Sequence, residues 1–458
     1  MYHAIICKIT TAHHPNADRL QVAYADSCTC IVGIDHADGE LGILFPEGGQ
    51  LSHEFCLANG LYRKDPATGE PMGGYLEENR RIKALRIRGV ESDGLWLPVA
   101  SIGSWLSYLK GGSRTGVPVF KEGETLTDVK GHRLCGKYYT PATLRAMKSK
   151  APREKKIAAK GASLPRHYDT PQLRSAQIPP GNVVITEKMH GTSGRTGYVM
   201  VDQPQHWFTR LLNKIPFVNV QPDQKREFVS GTRNCILDKN KPGEVGSGYR
   251  HMVHDMLVPY VRPGEVWYYE LVGFTDTGTP IAARHTIDTG DKKLDKMLKS
   301  ACGDQITYHY GCSPGGSMPG CAGDGSHRFK VLVYRITLGG KDMLWDGLFG
   351  RVLDTRLGDK HVRPYLDTVP VLAKYGQGSW VEADLRRDIN EFTRGPGEFL
   401  PIKEGVCVRV ESEKPALTTG RMPPAVVHRT MKHKSWVFCA LEGIMRNDPD
   451  YVDSEEVA

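Results

Sequence analysis

Lys188 stands at the end of an apolar run, Val183-Val184-Ile185-Thr186, and is followed within three residues by Gly191. The run reads as a buried strand and the glycine as the opening of a turn, so the lysine is delivered into a cleft at a strand end. An amine there is a nucleophile only once it has lost its proton, and free lysine, with a pKa near 10.4, keeps that proton at neutral pH. Burial and nearby positive charge must therefore act on it. Lys432 and Lys434 supply such charge. At i and i+2 they share one face of a strand, where both can reach a single polyphosphate and disfavour a third cation at Lys188. Glu270 closes a further strand-like run, Val266-Trp267-Tyr268-Tyr269, and a carboxylate so placed suits the hydroxyls of a sugar.

These residues belong to an ordered series. Thr186-Glu187-Lys188-Met189-His190-Gly191-Thr192 resembles motif I of the covalent nucleotidyltransferases, the superfamily of RNA ligases, DNA ligases and capping enzymes, in the form seen in RNA ligases. Val229-Ser230-Gly231-Thr232-Arg233-Asn234 resembles motif Ia, Val266 to Leu271 motif III, and Phe329 to Arg335 motif IIIa. Glu404-Gly405-Val406-Cys407-Val408-Arg409 resembles motif IV, and Met431-Lys432-His433-Lys434 motif V.

The resemblance implies an ATP-dependent RNA ligase. Lys188 would attack the α-phosphorus of ATP, the lysyl-AMP would pass its AMP to an RNA 5′-phosphate, and a 3′-hydroxyl would then be sealed to that end. Lys432 and Lys434 would stabilise the phosphoryl charge. Glu404 would be the carboxylate for Mg²⁺, with Mn²⁺ also able to serve. Glu187, His190, Gly191, Arg195, Arg233 and Glu270 would surround the nucleotide. Phe329 and Tyr334 are the candidates for stacking on adenine, each with ordinary core packing as the alternative. Arg195 and Arg233 have structural ion pairs as theirs.

The chain has 458 residues, enough for two or three cores, and a net charge of +8 from Lys+Arg 60 against Asp+Glu 52. The excess favours an anionic partner without naming one. No run reaches the roughly 18 residues a membrane span needs, Met1-Tyr2-His3-Ala4 lacks a signal pattern, and eleven scattered cysteines do not form a disulfide framework. A cytoplasmic protein without membrane contact is expected, and no feature points to an obligate protein partner. The fold class expected is an α+β nucleotidyltransferase domain, residues 181–458, preceded by an all-β OB-like barrel domain, residues 1–138. Short alternating runs such as Ile5 to Ile9, Leu20 to Ala23, Cys30 to Ile34, Leu41 to Phe45, Arg81 to Arg88 and Leu95 to Leu97 carry the second expectation. Residues 139–180 read as a basic linker, with Arg145, Lys148, Lys150, Arg153, Lys155, Lys156, Lys160, Arg166 and Arg174 against Glu154 and Asp169. Helical stretches are expected at Gly248 to Val258 and Leu294 to Ser300.

Only 24 residues follow Lys434, too few for the OB domain that DNA ligases and capping enzymes carry there. With the barrel placed first, the chain resembles the fifth RNA ligase family, typified by a Deinococcus enzyme. Arg166-His167-Tyr168-Asp169-Thr170 resembles that family too. RNA is the partner this implies, as a nicked duplex or an RNA/DNA hybrid. A capping-type guanylyltransferase and an inactive RNA-binding protein on the same fold are the alternatives. The gaps among Cys302, His309, Cys312, Cys321 and His327 do not match a close zinc pair.

Overall fold

The computed structural model describes residues 2–26, 28–113, 116, 118–148, 164–168, 170–173, 178–202, 224–233, 236–237, 248–319, 323, 325–394, 402–411 and 429–453. Asn234, Cys321, Asp169 and, within the basic stretch, Lys150, Arg153, Glu154, Lys155, Lys156, Lys160 and Arg174 lie outside them.

Alternation of small apolar and polar side chains builds the first sheet from β1 (Ala4–His13), β2 (Leu20–Ala25), β3 (Cys28–Gly33), β4 (Leu41–Pro46) and β5 (Gly94–Pro98), in the order β3-β2-β1-β4-β5. β1 is shared: Ile5 to Lys8 pair with β4, and Ile9 to His13 with β2. The sheet curls until its two ends meet, where Thr29 N donates to Asp93 Oδ1 at 2.8 Å and Asp93 N donates to Thr29 O at 2.9 Å. Ile5, Ile9, Cys30, Val32, Leu44 and Trp96 fill the nearly closed barrel. The other face of the sheet is covered by helices α1 (His53–Ala58) and α2 (Ala100–Leu109), whose Phe55, Ile102, Trp105 and Leu106 pack on Ile6, Ile43 and Phe45. The all-β reading of this region is corrected accordingly. The Arg81 to Arg88 run also shortens: only Leu85–Ile87 is a strand, turned back on Val90–Ser92 through Arg88 and Gly89, both at positive φ. His14-Pro15-Asn16 is a turn docked on that hairpin, Asn16 Nδ2 donating to Arg88 O at 2.8 Å.

Two antiparallel sheets follow. One has β6 (Asn182–Lys188), β12 (Val371–Tyr375), β13 (Gly405–Glu411) and β14 (Arg429–Lys434) in the order β12-β6-β13-β14. The other contains β7 (Thr192–Asp202), β8 (Gln224–Gly231), β9 (Glu265–Gly273) and β10 (Phe329–Leu338) in the order β8-β7-β9-β10, with β11 (Leu366–Thr368) parallel to β10. Helices α3 (Gly248–Leu257), α4 (Lys292–Cys302) and α5 (Trp345–Gly358) flank the second sheet, and α6 (Glu382–Arg394) packs Leu385 and Ile389 on the first. α7 (Trp436–Met445) begins directly after β14, with Ser435 Oγ capping it by accepting from Phe438 N. It meets the barrel region, where Arg81 Nη1 donates to Gly443 O at 2.7 Å and Cys439 Sγ lies 3.3 Å from Glu47 Oε1. Among the described residues no helix is long and apolar enough to cross a membrane, and no group of His, Cys, Asp and Glu could hold a metal ion by itself.

Candidate active site

β6 lies in one sheet and β7 in the other, joined by Met189-His190-Gly191, so Lys188 ends its strand at the seam between the two. A Cβ at residue 191 would lie 2.2 Å from Leu271 O, and this is why the crossing uses glycine. The cleft along the seam is lined by Glu187, Lys188, Ser193 and Arg195 from β6 and β7, Thr232 and Arg233 after β8, Tyr268 and Glu270 from β9, and Arg409, Thr430 and Lys432 from β13 and β14. Ser193 Oγ donates to Glu270 Oε2 at 3.3 Å, and Arg195 Nη1 donates to Leu164 O at 3.0 Å.

β10 contributes two consecutive residues, Tyr334 and Arg335. The pairing explains how: Tyr268 faces Arg335 and Tyr269 faces Val333, so Tyr334 is the extra residue of a bulge. A bulge breaks the two-residue period and aims neighbouring side chains to one side. Arg335 is then fixed between the rings of Tyr168 and Tyr268, 4.4 and 4.5 Å from their centroids, and donates to Asp342 Oδ1 at 2.6 Å.

Residues 164–168 and 170–173, read from composition as part of a linker, make a wall of the cleft. His167, Tyr168 and Thr170 line it, Tyr168 Oη lies 3.0 Å from Thr430 Oγ1, and Gln172 bridges to Lys432, whose N donates to Pro171 O at 2.9 Å. The sequence marked this segment through its resemblance, without assigning site residues in it. Tyr268, Arg335 and Arg409 were also missed, although Tyr268 and Arg335 fall inside motifs III and IIIa.

Glu404 is the electrostatic centre. Its Oε1 lies 2.5 Å from Lys188 Nζ and 3.9 Å from Lys434 Nζ, and His190 Nδ1 is 3.5 Å from its Oε2. Burial would raise the Glu404 carboxyl, but Lys188, His190 and Lys434 together hold it down at about 2. Glu404 Oε2 is buried and accepts no hydrogen bond among the described residues. A hard oxygen donor left open in this way fits a divalent cation that keeps its other positions for phosphate and water. His190 sits in a cage of His285, Tyr308 and Phe438, with ring centroids 4.7–5.4 Å away.

Two of the expected site residues lie outside the cleft lining. Phe329 is completely buried in the core against Tyr365 and does not line the cleft, whereas Tyr334 does. Lys434 shares a strand face with Lys432, yet its ammonium is bound 2.7 Å from Glu442 Oε2 on α7 and does not line the cleft. Burial, which alone would lower the Lys434 ammonium, is outweighed by Glu442 and Glu404, and the net direction is upward. Lys432, Lys188, Glu187, Arg195, Arg233, Glu270 and Tyr334 are brought together. His190, Gly191 and Glu404 stand just behind them.

This architecture occurs in an RNA ligase from Naegleria gruberi. An apo variant of that enzyme superposes with a TM-score of 0.51 at 13% identity, covering 95% of this chain and 96% of that one. A variant with ATP and manganese gives 0.52 at 12% identity over 95% and 98%, and one with AMP and manganese 0.50 at 12% over 98% and 99%. The fold is that of an RNA ligase. At such identity the likeness is one of fold. No protein-family model and no curated protein sequence matches the chain.

Proposed function

We propose that this protein is an ATP-dependent RNA ligase whose nucleophile is Lys188. The observation that carries the reading is Lys188 Nζ held 2.5 Å from buried Glu404 at the edge of a cleft whose other charged groups include Arg195, Arg233 and Lys432. In the first step Lys188 Nζ gives its ammonium proton to solvent and forms a P–N bond to the α-phosphorus of ATP, pyrophosphate leaves with the electrons of the broken P–O bond, and the second proton displaced from the nitrogen passes to pyrophosphate or solvent. An RNA 5′-phosphate oxygen then takes the AMP from Lys188, and a 3′-hydroxyl finally displaces AMP to form the phosphodiester. The ion pair with Glu404 favours the ammonium, so attack requires that pair to separate. Mg²⁺ or Mn²⁺, when bound, would neutralise phosphate charge and compete for the Glu404 carboxylate.

Arg195, Arg233 and Lys432 hold the phosphates in this reading, Glu270 the ribose, and Tyr334 is the ring placed to stack on adenine. A nearly closed barrel ahead of the Lys188 strand supports an OB-like RNA-binding region and a place beside the fifth, Deinococcus-type ligase family. The substrate is RNA broken at a nick, in a duplex or a hybrid with DNA.

Incubation with α-labelled ATP or GTP and Mg²⁺ tests the reading. Covalent label from ATP alone, lost in Lys188→Ala, is expected. Label from GTP alone would replace the ligase by a capping-type enzyme, and no label from either would leave a binding protein on this fold.

A further inference from the structure

A second cavity is lined by His327, Lys330, Arg356, Lys360, Arg363 and Asp367. Lys330 comes from β10, Asp367 from β11, and the other three cations from the last turn of α5 and the segment after it. Four fixed cations thus face one carboxylate, and Asp367 is already bound to Arg356 Nη1 at 2.8 Å. Arg356 Nε is buried without a hydrogen-bond partner among the described residues. The nearest acid in sequence, Asp359, accepts from Tyr260 Oη and His361 N. No ion pair with Lys360 or Arg363 is formed among the described residues, and both are exposed. Such a cavity has a positive potential and donors suited to an oxyanion.

The cavity and the catalytic cleft lie along one extended segment. Leu366 lines the one and Val369 the other, and the segment is paired with β10. Lys330 Nζ also donates to Tyr310 O at 3.1 Å, and the Tyr310 hydroxyl accepts from His190 N at 2.8 Å, two residues from Lys188.

We propose that this cavity holds a backbone phosphate of the RNA strand, away from the junction being sealed. The inference rests on the ligase reading for the identity of the polymer. Its test is separate.

Binding of a single-stranded RNA is measured over a range of salt for the full chain and for Lys360→Gln/Arg363→Gln, whose exposed side chains carry no core packing. Loss of the one phosphate contact should flatten the log–log salt slope by about 0.7, equivalent to about fivefold weaker binding at about 0.1 M salt. Lys360→Arg/Arg363→Lys should keep the original slope. An unchanged slope in the glutamine variant, or a loss in the charge-conserving one, overturns the proposal. Inorganic phosphate added at constant ionic strength should weaken RNA binding by the full chain by no more than the glutamine substitutions do, and should leave the glutamine variant unaltered. Phosphate binding that the glutamine substitutions abolish, with an RNA salt slope that they do not change, would assign the cavity to the free ion and overturn the RNA assignment. Lysyl-AMP formation, read on the same preparations, should be equal in all of them. Its absence throughout would sink the ligase reading while the salt slopes still decide the cavity.

Discussion

Glu442 Oε2 accepts a hydrogen bond from Lys434 Nζ at 2.7 Å, while the other oxygen of the same carboxylate accepts from Arg446 at 2.8 Å. Lys434 and Lys432 therefore do different things although they share a strand face. Lys434→Ala leaves Glu442 and Arg446 buried with their balance broken, and breaking such a pair costs about 3–5 kcal/mol. Lys432 opens on the cleft, so Lys432→Ala should change stability by about 0.5 kcal/mol or less while cutting lysyl-AMP formation roughly a hundredfold. Urea unfolding beside AMP labelling reads both, and equal loss of stability in the two variants would contradict this division.

Glu404→Gln should lower adenylation by about a hundredfold or more, because Lys188 loses its partner and a cation its carboxylate. The acid limb follows with its sign. Glu404 is depressed to about 2, below the ordinary 4.5, so its contribution is whole above pH 4.5 and is lost as pH falls through about 2. Wild-type stability should decline over that window, and the glutamine variant should show a shallower decline in the same melts.

Phe329 and Tyr334 separate by kinetics. Phe329→Ala opens a cavity in the core and should cost about 3–5 kcal/mol, with the KM for ATP of the folded fraction unchanged. Tyr334→Ala should raise that KM with a smaller stability loss. A KM effect confined to Phe329→Ala would reverse the assignment of the adenine contact.

His285 is buried, with Nδ1 3.0 Å from Tyr308 Oη, and burial together with His190 lowers it from 6.5 to about 3. Between those values the unfolded chain binds more protons than the folded one, so stability must fall as pH drops below 6.5, by up to about 1.4 kcal/mol per unit. His285→Gln should flatten the pH dependence of the melting temperature between pH 6.5 and 4. The same slope in both proteins would show that His285 is protonated in the fold.

The strand ending at Lys188 was legible because an apolar run and a glycine are local signals, and helix α3 was found to within one residue. The placement of Phe329 was readable in part: five residues from Tyr334, it falls on the opposite face of a regular strand. The bulge that brings Arg335 in beside Tyr334 was not readable, since it depends on the register between β9 and β10. The capture of Lys434 by Glu442 was equally hidden, because it requires the docking of α7. Residues 164–168 and 170–173 look like connector by composition, and only their attachment to β14 makes them part of the cleft wall.

The hydrogen bond from Arg81 to Gly443 spans 362 residues. Closing so long a loop in an unfolded chain carries a length-dependent entropy cost of roughly 5 kcal/mol, and contacts such as that of Arg86 with Asp291 shorten the loop that remains to be closed. During synthesis the barrel region emerges before α7, so the Arg81 guanidinium lacks that carbonyl until residues 436–445 have been made. The Lys434–Glu442–Arg446 cluster is therefore completed only when α7 docks beside β14 and the barrel region.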